Sequence, residues 1–311
     1  MDKDRKTELM AHAKINLSLD IVGEREDGYH LLRMVMQTLK LADKIEVSVN
    51  ESGRITTFTD SGAVSDDKSN LAYRAAELLL KEFGIGDGVD IRIQKNIPVA
   101  AGLAGGSADA AAVLKAVNEL FELALTDEEL AERGVRLGAD IPYCIYGGTM
   151  LSEGIGEKLT RLRNLEVLPV ILVKPPKSVS TVEVYKSYRD ERVNLHPQTD
   201  ELVKEINSSG SFDERKLANV LESVTLPMVP EIDEIKRSLI EHGAYFSMIS
   251  GSGPTVFGLF KQQDTADRAF SALKAQYKEM TVISTCTCNV TVEGSGRPTD
   301  RDLYCFQGGS S

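Results

Sequence analysis

The chain has 311 residues, and its 36 Lys or Arg against 47 Asp or Glu give a formal net charge of −11. This acidic balance disfavours nucleic acid and anionic membrane surfaces as partners, because both attract basic patches. It does not exclude an anionic small molecule, which needs only a few local amides and cations. With 42% apolar and 27% charged residues, the composition is that of a globular protein.

Neither a membrane span nor a signal peptide is predicted, since no apolar run of about 18 residues occurs and residues 1–5 lead into no apolar core. The cysteines lack the paired spacing of a zinc site, and we expect reduced thiols at Cys144, Cys286, Cys288 and Cys305. The sequence therefore predicts a cytoplasmic protein.

The opening segment predicts a strand over residues 9–21. Its odd-numbered positions are apolar, whereas the even-numbered ones are polar apart from Met10. This alternation places one set in a core and the other on the opposite face, where Lys14 and Asn16 lie about 7 Å apart. Taken alone, the ordinary interpretation of that second face is solvated surface.

Strand and helix patterns then alternate through the first half. A turn at residues 26–28 leads into an extended stretch that ends at Leu39, and shorter alternations follow at 45–49 and 89–93. Helical spacing predicts a helix over 69–83, and a second helix opens at Ser107. A capping-box pattern at Thr126 and Glu129 begins a third helix, which is predicted to end near Gly138.

The second half has the same mixed character. The predicted elements are a strand at 168–173, helices within 200–242 interrupted by Pro227 and Pro230, strands at 245–249 and 255–260, a helix near 266–277 and a strand near 281–290. We predict two α+β domains, residues 1–165 and 166–292, followed by a flexible tail at 293–311.

A loop of small residues and glycines, residues 98–106, runs directly into the helix that opens at Ser107. Glycines allow a backbone to approach a ligand closely, and a helix N-terminus favours an anion, so the pattern predicts a phosphate site. A tight turn between a strand and a helix is the alternative. The loop is neither a Walker loop, which needs Gly-Lys-Ser/Thr, nor a dinucleotide fingerprint.

Several blocks, in order and in register, resemble the GHMP kinases. They lie at residues 11–17, 98–112 and 250–255, and further blocks at 27–30, 137–142 and 147–149 narrow the resemblance to the branch that acts on a cytidine diphosphate-linked methylerythritol. The resemblance implies an α+β, two-domain GHMP kinase fold, with an N-terminal domain like the second domain of ribosomal protein S5 and a ferredoxin-like C-terminal domain. It also implies transfer of the ATP γ-phosphoryl group to the 2-hydroxyl of that substrate, in the non-mevalonate route to isoprenoid precursors.

The resemblance carries roles onto individual positions. Lys14 matches the catalytic lysine and Asp140 the catalytic base. ATP binding is expected at Pro98, Val99, Ala100, Ala101, Gly102, Leu103, Ala104, Gly105, Gly106, Ser107, Ala108, Asn70 and Lys95. Substrate binding is expected at Asn16, Tyr29, His30, Thr181 and Tyr185, with residues 251–254 facing the substrate diphosphate.

Simpler interpretations exist for several of these residues. Asp140 also fits the N-cap of a short helix at Ile141 and Pro142. Tyr29 and Tyr185 also fit ordinary half-buried tyrosines, and residues 251–254 also fit a hairpin turn.

The chain departs from the family pattern at Ala104, often Gly, and at Ala108, often a second Ser. No Glu stands out as a metal ligand, so Mg²⁺ is expected to be held mainly by ATP oxygens and water.

The expected partners are small molecules, not nucleic acid or membrane, and the chain is expected to be a monomer or homodimer. A sister small-molecule kinase and a nucleotide-binding sensor without catalysis are the alternative functions. The 27–30 turn and the 178–185 block disfavour the first, and retention of both Lys14 and Asp140 disfavours the second.

Overall fold

The computed structural model describes residues 5–62 and 65–289, so the predicted tail at 293–311 and Val290 lie outside the described residues. Two sheets and their covering helices make up this part of the chain, which confirms the predicted α+β class. Among the helices described, none combines the length and apolar character needed to cross a bilayer.

The first sheet is built from the strands of the N-terminal half: β1 (Lys6–Glu24), β2 (His30–Asn50), β3 (Ile55–Thr59), β4 (Gly88–Gln94), β5 (Thr149–Gly154) and β6 (Lys158–Arg161). Their order is β3-β4-β2-β5-β6, with β1 also paired to β2. The β3–β4 pair is parallel and the others are antiparallel. The two long strands β1 and β2 are paired with each other along almost the whole length of β1.

Four helices accompany this sheet: α1 (Leu71–Glu82), α2 (Gly105–Leu120), α3 (Asp127–Gly134) and α4 (Ile141–Tyr146). Helix α2 contacts α1, α4 and β1, and its alanine-rich surface allows close approach on several sides. Leu79 of α1 and Val113 of α2 share a buried cluster with Ile45 and Ile91 of the sheet. This packing fixes the N-terminus of α2 next to β1.

The second sheet contains β7 (Pro169–Lys174), β8 (Phe246–Ile249), β9 (Val256–Leu259) and β10 (Thr281–Cys286), in the antiparallel order β10-β7-β9-β8. The helices of this half are α5 (Thr181–Ser187), α6 (Thr199–Ser209), α7 (Glu222–Met228), α8 (Glu231–Glu241) and α9 (Gln263–Gln276).

Alternation along β7 sends its apolar side chains into two different cores. Ile171 belongs to a cluster with residues of α8 and α9, whereas Leu172 belongs to a cluster that includes Ile15 of β1 and Leu39 of β2. One face of the second sheet is thus covered by helices, and the other packs against the first sheet.

Burial on both faces of β1 makes the solvated-face interpretation wrong. Lys14 and Asn16 are only 4% and 1% exposed, although they alternate with the apolar set as predicted. The predicted boundary near residue 165 falls between β6 and β7, hence between the two sheets.

Other elements differ from prediction in length or were missed. The stretches predicted to end at Leu39 and to restart at 45–49 are one strand, β2. Helix α2 begins at Gly105 rather than Ser107, and α3 ends at Gly134 rather than near Gly138, although its capping box is present as predicted. The missed elements are β3, β5, β6 and α5.

Candidate active site

A cavity of about 1160 Å³ is lined by residues from both halves of the chain. Its walls come from β1, the loop before α2, the loop before α4, α5, and the loop between β8 and β9. Every predicted catalytic, ATP-binding and substrate-binding residue lines this cleft except Ala108. The residues assigned to the site come from distant parts of the sequence, and the fold brings them together in one cleft.

Ala108 points away from the cleft. Its side chain is buried in the core that α2 forms with α1 and the first sheet. The departure from the family pattern at this position therefore changes packing beneath the loop rather than the cleft wall.

The loop before α2, residues 98–107, is called the glycine loop below. Gly102 has a φ of +73°, and a Cβ added there would lie 2.1 Å from the Ser250 carbonyl oxygen. Only glycine fits such a close approach. Ala100 and Ala104 also have positive φ, at 51° and 58°, a conformation that costs energy for a residue with a side chain.

The N-terminus of α2 opens onto the cleft without a side-chain cap. Its N-cap residue is Ala104, which has no side-chain hydrogen bond to offer, and the first turn contains no acidic residue. The first amides of the helix are thus left for another acceptor, and an anion is the group that they and the helix dipole favour.

Lys14, Asn16 and Asp140 meet beside this helix end. The Lys14 ammonium donates to Asn16 Oδ1 at 2.7 Å and lies 3.8 Å from Asp140 Oδ2. The backbone N–H of Lys14 donates to the Leu103 carbonyl at 3.1 Å, which joins β1 to the glycine loop. Lys14 thus lies between the glycine loop and a carboxylate.

The carboxylate of Asp140 does not cap α4. Asp140 occupies the N-cap position, but its side chain makes no capping hydrogen bond and stays 35% exposed in the cleft. The N-cap position that the simpler interpretation gives this residue is confirmed, but its carboxylate makes no cap and lies 3.8 Å from the Lys14 ammonium instead.

Aromatic residues form a second region of the cleft. Tyr29 is 61% exposed, and His30 stacks on Tyr185 with ring centroids 5.8 Å apart and an interplanar angle of 29°. His30 Nε2 also lies 3.1 Å from the Tyr185 carbonyl oxygen. Tyr188, which is buried behind the cleft wall and does not line the cavity, contacts His30 edge-on.

Thr181 connects this aromatic region to the loop between β8 and β9. Its hydroxyl lies 2.9 Å from the Ser252 hydroxyl. That loop is a hairpin connection, as the simpler interpretation has it, and Gly251 and Ser252 also line the cleft.

Lys95 and Asn70 line the cleft, but their polar groups are engaged within the protein. The Lys95 ammonium binds Asp43 at 2.5 Å and Asp109 at 2.8 Å. Asn70 caps α1 by accepting from the Ala72 amide.

Two carboxylates and one ammonium form a buried cluster at Lys95. Burial lowers the pKa of Lys95, but the charges and hydrogen bonds of Asp109 and Asp43 outweigh it and raise the pKa above its usual value. Burial also raises the pKa of Asp109 to about 7, although the nearby Lys95 charge opposes this shift. The sequence interpretation missed both carboxylates, and the signal at Asp109 was a lone charge within an alanine-rich helix start.

Comparisons with known proteins identify one kinase family over both halves of the chain. Residues 70–148 match the GHMP kinases N terminal domain, and residues 185–279 match the GHMP kinases C terminal domain. A 4-diphosphocytidyl-2-C-methyl-D-erythritol kinase of Clostridium beijerinckii is 48% identical over 278 residues, covering 89% of this chain and 99% of the relative. One of Clostridium botulinum is 48% identical over 276 residues, covering 88% and 98%.

Solved structures with the same fold include a crystal structure of 4-(cytidine 5'-diphospho)-2C-methyl-D-erythritol kinase. It has a TM-score of 0.77 and 32% identity and covers 90% of this chain and 99% of its own. Homoserine kinase from Cytophaga hutchinsonii has a TM-score of 0.73 at 18% identity, with 93% and 96% covered, and shares the fold.

Proposed function

The chain belongs to the 4-diphosphocytidyl-2-C-methyl-D-erythritol kinases of the GHMP kinase family, and from this we propose that its cleft transfers the ATP γ-phosphoryl group to the 2-hydroxyl of 4-diphosphocytidyl-2-C-methyl-D-erythritol. It is a small-molecule kinase of the non-mevalonate route to isoprenoid precursors. The observation that carries the site assignment is the Lys14–Asp140 pair beside the uncapped N-terminus of α2.

Asp140 is the proposed base. Its carboxylate is exposed to the cleft, makes no cap, and lies 3.8 Å from the Lys14 ammonium. It accepts the proton of the attacking hydroxyl, a task that demands mainly correct positioning because phosphoryl transfer passes through a loose transition state. Lys14 stabilises the charge of the transferring group.

ATP is placed along the glycine loop. The loop amides and the first turn of α2 hold the phosphates, and the positive φ values along the loop direct its backbone at the ligand. Asn70 and Lys95 lie at the proposed adenine end. They contact the base through their backbone and stems, because their polar ends already bind the protein.

The cytidylyl substrate is placed in the aromatic region. The exposed ring of Tyr29 offers a face for the cytosine, and His30 and Tyr185 provide polar edges and a second ring. Thr181 faces the diphosphate side, and Asn16 binds the methylerythritol end beside Lys14.

Mg²⁺ is proposed to arrive bound to ATP. In the described part of the chain no group of three His, Cys, Asp or Glu side chains that could hold a metal ion occurs. Mg²⁺ tolerates binding mainly through phosphate oxygens and water. Ser107 and Asp140 line the cleft and would offer oxygens to the ion, which would neutralise phosphate charge. The cytoplasm, as the source of ATP, is the proposed location, with the chain a monomer or homodimer.

A coupled assay of ADP release with a panel of acceptors tests this function. We expect turnover only with 4-diphosphocytidyl-2-C-methyl-D-erythritol. Turnover with homoserine or mevalonate instead would establish a sister kinase, and tight binding of ATP and the cytidylyl compound without turnover would establish a sensor.

A further inference from the structure

The loop between β8 and β9, residues 250–254, is called the C-terminal loop below. A Cβ added to Gly251 would lie 3.4 Å from Lys14 Nζ and 3.6 Å from Asn16 Oδ1. The backbone of this loop therefore lies next to the residues proposed to act on the phosphoryl group, with no room for a side chain between them. The Ser250 hydroxyl also donates to the Gly102 carbonyl at 2.9 Å, so the loop abuts the glycine loop as well.

Asn219 holds the C-terminal loop from outside the cleft. Its side-chain amide donates to the carbonyls of Ile249 at 3.2 Å and Gly251 at 2.8 Å. Its Oδ1 accepts from the Leu221 amide at 3.0 Å. Asn219 is 4% exposed and does not line the cavity, so no contact with a substrate accounts for these bonds.

The backbone around Asn219 is joined to β1, the strand of Lys14 and Asn16. Leu19 donates to the Ala218 carbonyl at 2.9 Å, and Val220 donates to the Leu19 carbonyl at 3.0 Å. Asn219 is thus a bridge between the strand that carries the ammonium and the loop that faces it.

The bond to the Gly251 carbonyl also orients an amide. In a planar trans peptide the C=O and the following N–H point in opposite directions. Because the Gly251 carbonyl points to Asn219, the N–H of Ser252 points the other way, and Ser252 lines the cleft. Within residues 5–62 and 65–289, this N–H donates to no group of the chain.

An amide in this position suits an anion. Gly251 has a φ of +56° and Gly253 of +77°, and turns of this kind form concave backbone surfaces that bind anionic oxygens. If the Gly251 peptide rotated, its carbonyl oxygen would face the cleft and repel phosphate. The Ser252 carbonyl is fixed as well, by the Thr225 hydroxyl at 3.0 Å.

We propose that Asn219 is a positioning residue for phosphoryl transfer, because it fixes the Gly251 peptide so that the Ser252 amide is presented to the transferring group beside Lys14. This proposal rests on the proposed kinase function. It predicts that removing the side-chain amide lowers kcat, whereas ATP stays bound by the glycine loop.

The test compares Asn219→Leu and Asn219→Asp with the parent in steady-state kinetics with ATP and 4-diphosphocytidyl-2-C-methyl-D-erythritol. We expect kcat to fall about 10- to 100-fold, below the roughly 10²- to 10³-fold loss on removing a transition-state donor outright. The KM for ATP should change less than about threefold. Asn219→Asp keeps the shape of the side chain and carries the test if Asn219→Leu does not fold.

Asn118→Leu is the matched control. Asn118 also ties backbone together, through bonds of 2.9 Å to the Leu125 carbonyl and amide, but it does not line the cleft. It should lower the melting temperature and leave kcat unchanged. Unchanged kcat in a folded Asn219 variant, a rise in KM for ATP alone, or an equal loss of kcat in Asn118→Leu would overturn the proposal. A parent protein inactive on the cytidylyl substrate refutes the kinase function instead, and this is determined before any variant is compared.

Discussion

Lys14 Nζ and Asp140 Oδ2 lie 3.8 Å apart, within the range of an ion pair but beyond a direct hydrogen bond. The short hydrogen bond of this ammonium goes to Asn16 at 2.7 Å instead. The Asp140 carboxylate therefore takes no hydrogen bond from this ammonium, as its proposed role as acceptor of a substrate proton requires.

Replacing Asp140 by Asn should lower kcat by about 10²- to 10⁴-fold, because the amide cannot accept the hydroxyl proton. Steady-state kinetics with saturating substrates measures the change. Asp264→Asn, in the exposed first turn of α9, is the control and should be neutral. Near-parental turnover in a folded Asp140→Asn variant is incompatible with its role as the base.

Replacing Tyr29 or Tyr185 by Ala should raise the KM for the cytidylyl substrate by about 5- to 200-fold, the effect of losing about 1–3 kcal/mol of base stacking. The KM for ATP should stay within about twofold. Phe58→Ala removes a similarly exposed ring outside the cleft and should change neither value. Equal increases in both KM values would show that these rings do not bind the cytosine.

Replacing Ala104 by Gly should raise the free energy of unfolding by about 1 kcal/mol. Ala104 has a φ of +58°, a conformation that glycine adopts without strain. Ala110→Gly, in the regular interior of α2, is the control and should lower stability by about 1 kcal/mol or more. Denaturant unfolding measures both. A lower free energy of unfolding in Ala104→Gly would show that the positive φ of Ala104 does not strain the loop.

Replacing Asp109 by Asn should change how stability depends on pH. The native pKa of Asp109 is about 7 against 3.8 for an ordinary Asp side chain, so the native state keeps this proton where the unfolded state has lost it. The parent should then lose stability relative to the variant as pH rises from about 4 to about 7, by about 1.4 kcal/mol per pH unit at most.

Above about pH 8 the difference between Asp109→Asn and the parent should be constant, because Asp109 is then ionised in both states. Melting temperatures across this pH range provide the measurement, with Asp264→Asn as the exposed control. A difference that does not grow between pH 4 and 7 would show that Asp109 titrates normally.

Local patterns predicted the secondary structure best where one rule dominated. The alternation of β1 and the capping box at Thr126 both appear in the structure. The patterns gave no information on what covers a face. The burial of Lys14 and Asn16 beside the glycine loop and the C-terminal loop was therefore not predictable from them. The sequence predicted two separate stretches where β2 is one strand, because polar residues such as Lys40 and Lys44 interrupt the alternation.

Motifs predicted which residues meet in the cleft, but not the groups that hold those residues in place. Lys95, Asp43 and Asp109 come from three separate segments, and only tertiary packing shows that one ammonium binds both carboxylates. Asn219 likewise carries no local signal, since its partners at Ile249 and Gly251 lie about thirty residues away.

The most direct measurement is phosphorus NMR of the reaction product formed from ATP and 4-diphosphocytidyl-2-C-methyl-D-erythritol. The account predicts one new phosphomonoester signal, assigned to the 2-hydroxyl by its coupling pattern, that is absent with Asp140→Asn over the same period. A parent enzyme that forms no such phosphomonoester, or that phosphorylates another hydroxyl, would contradict the account.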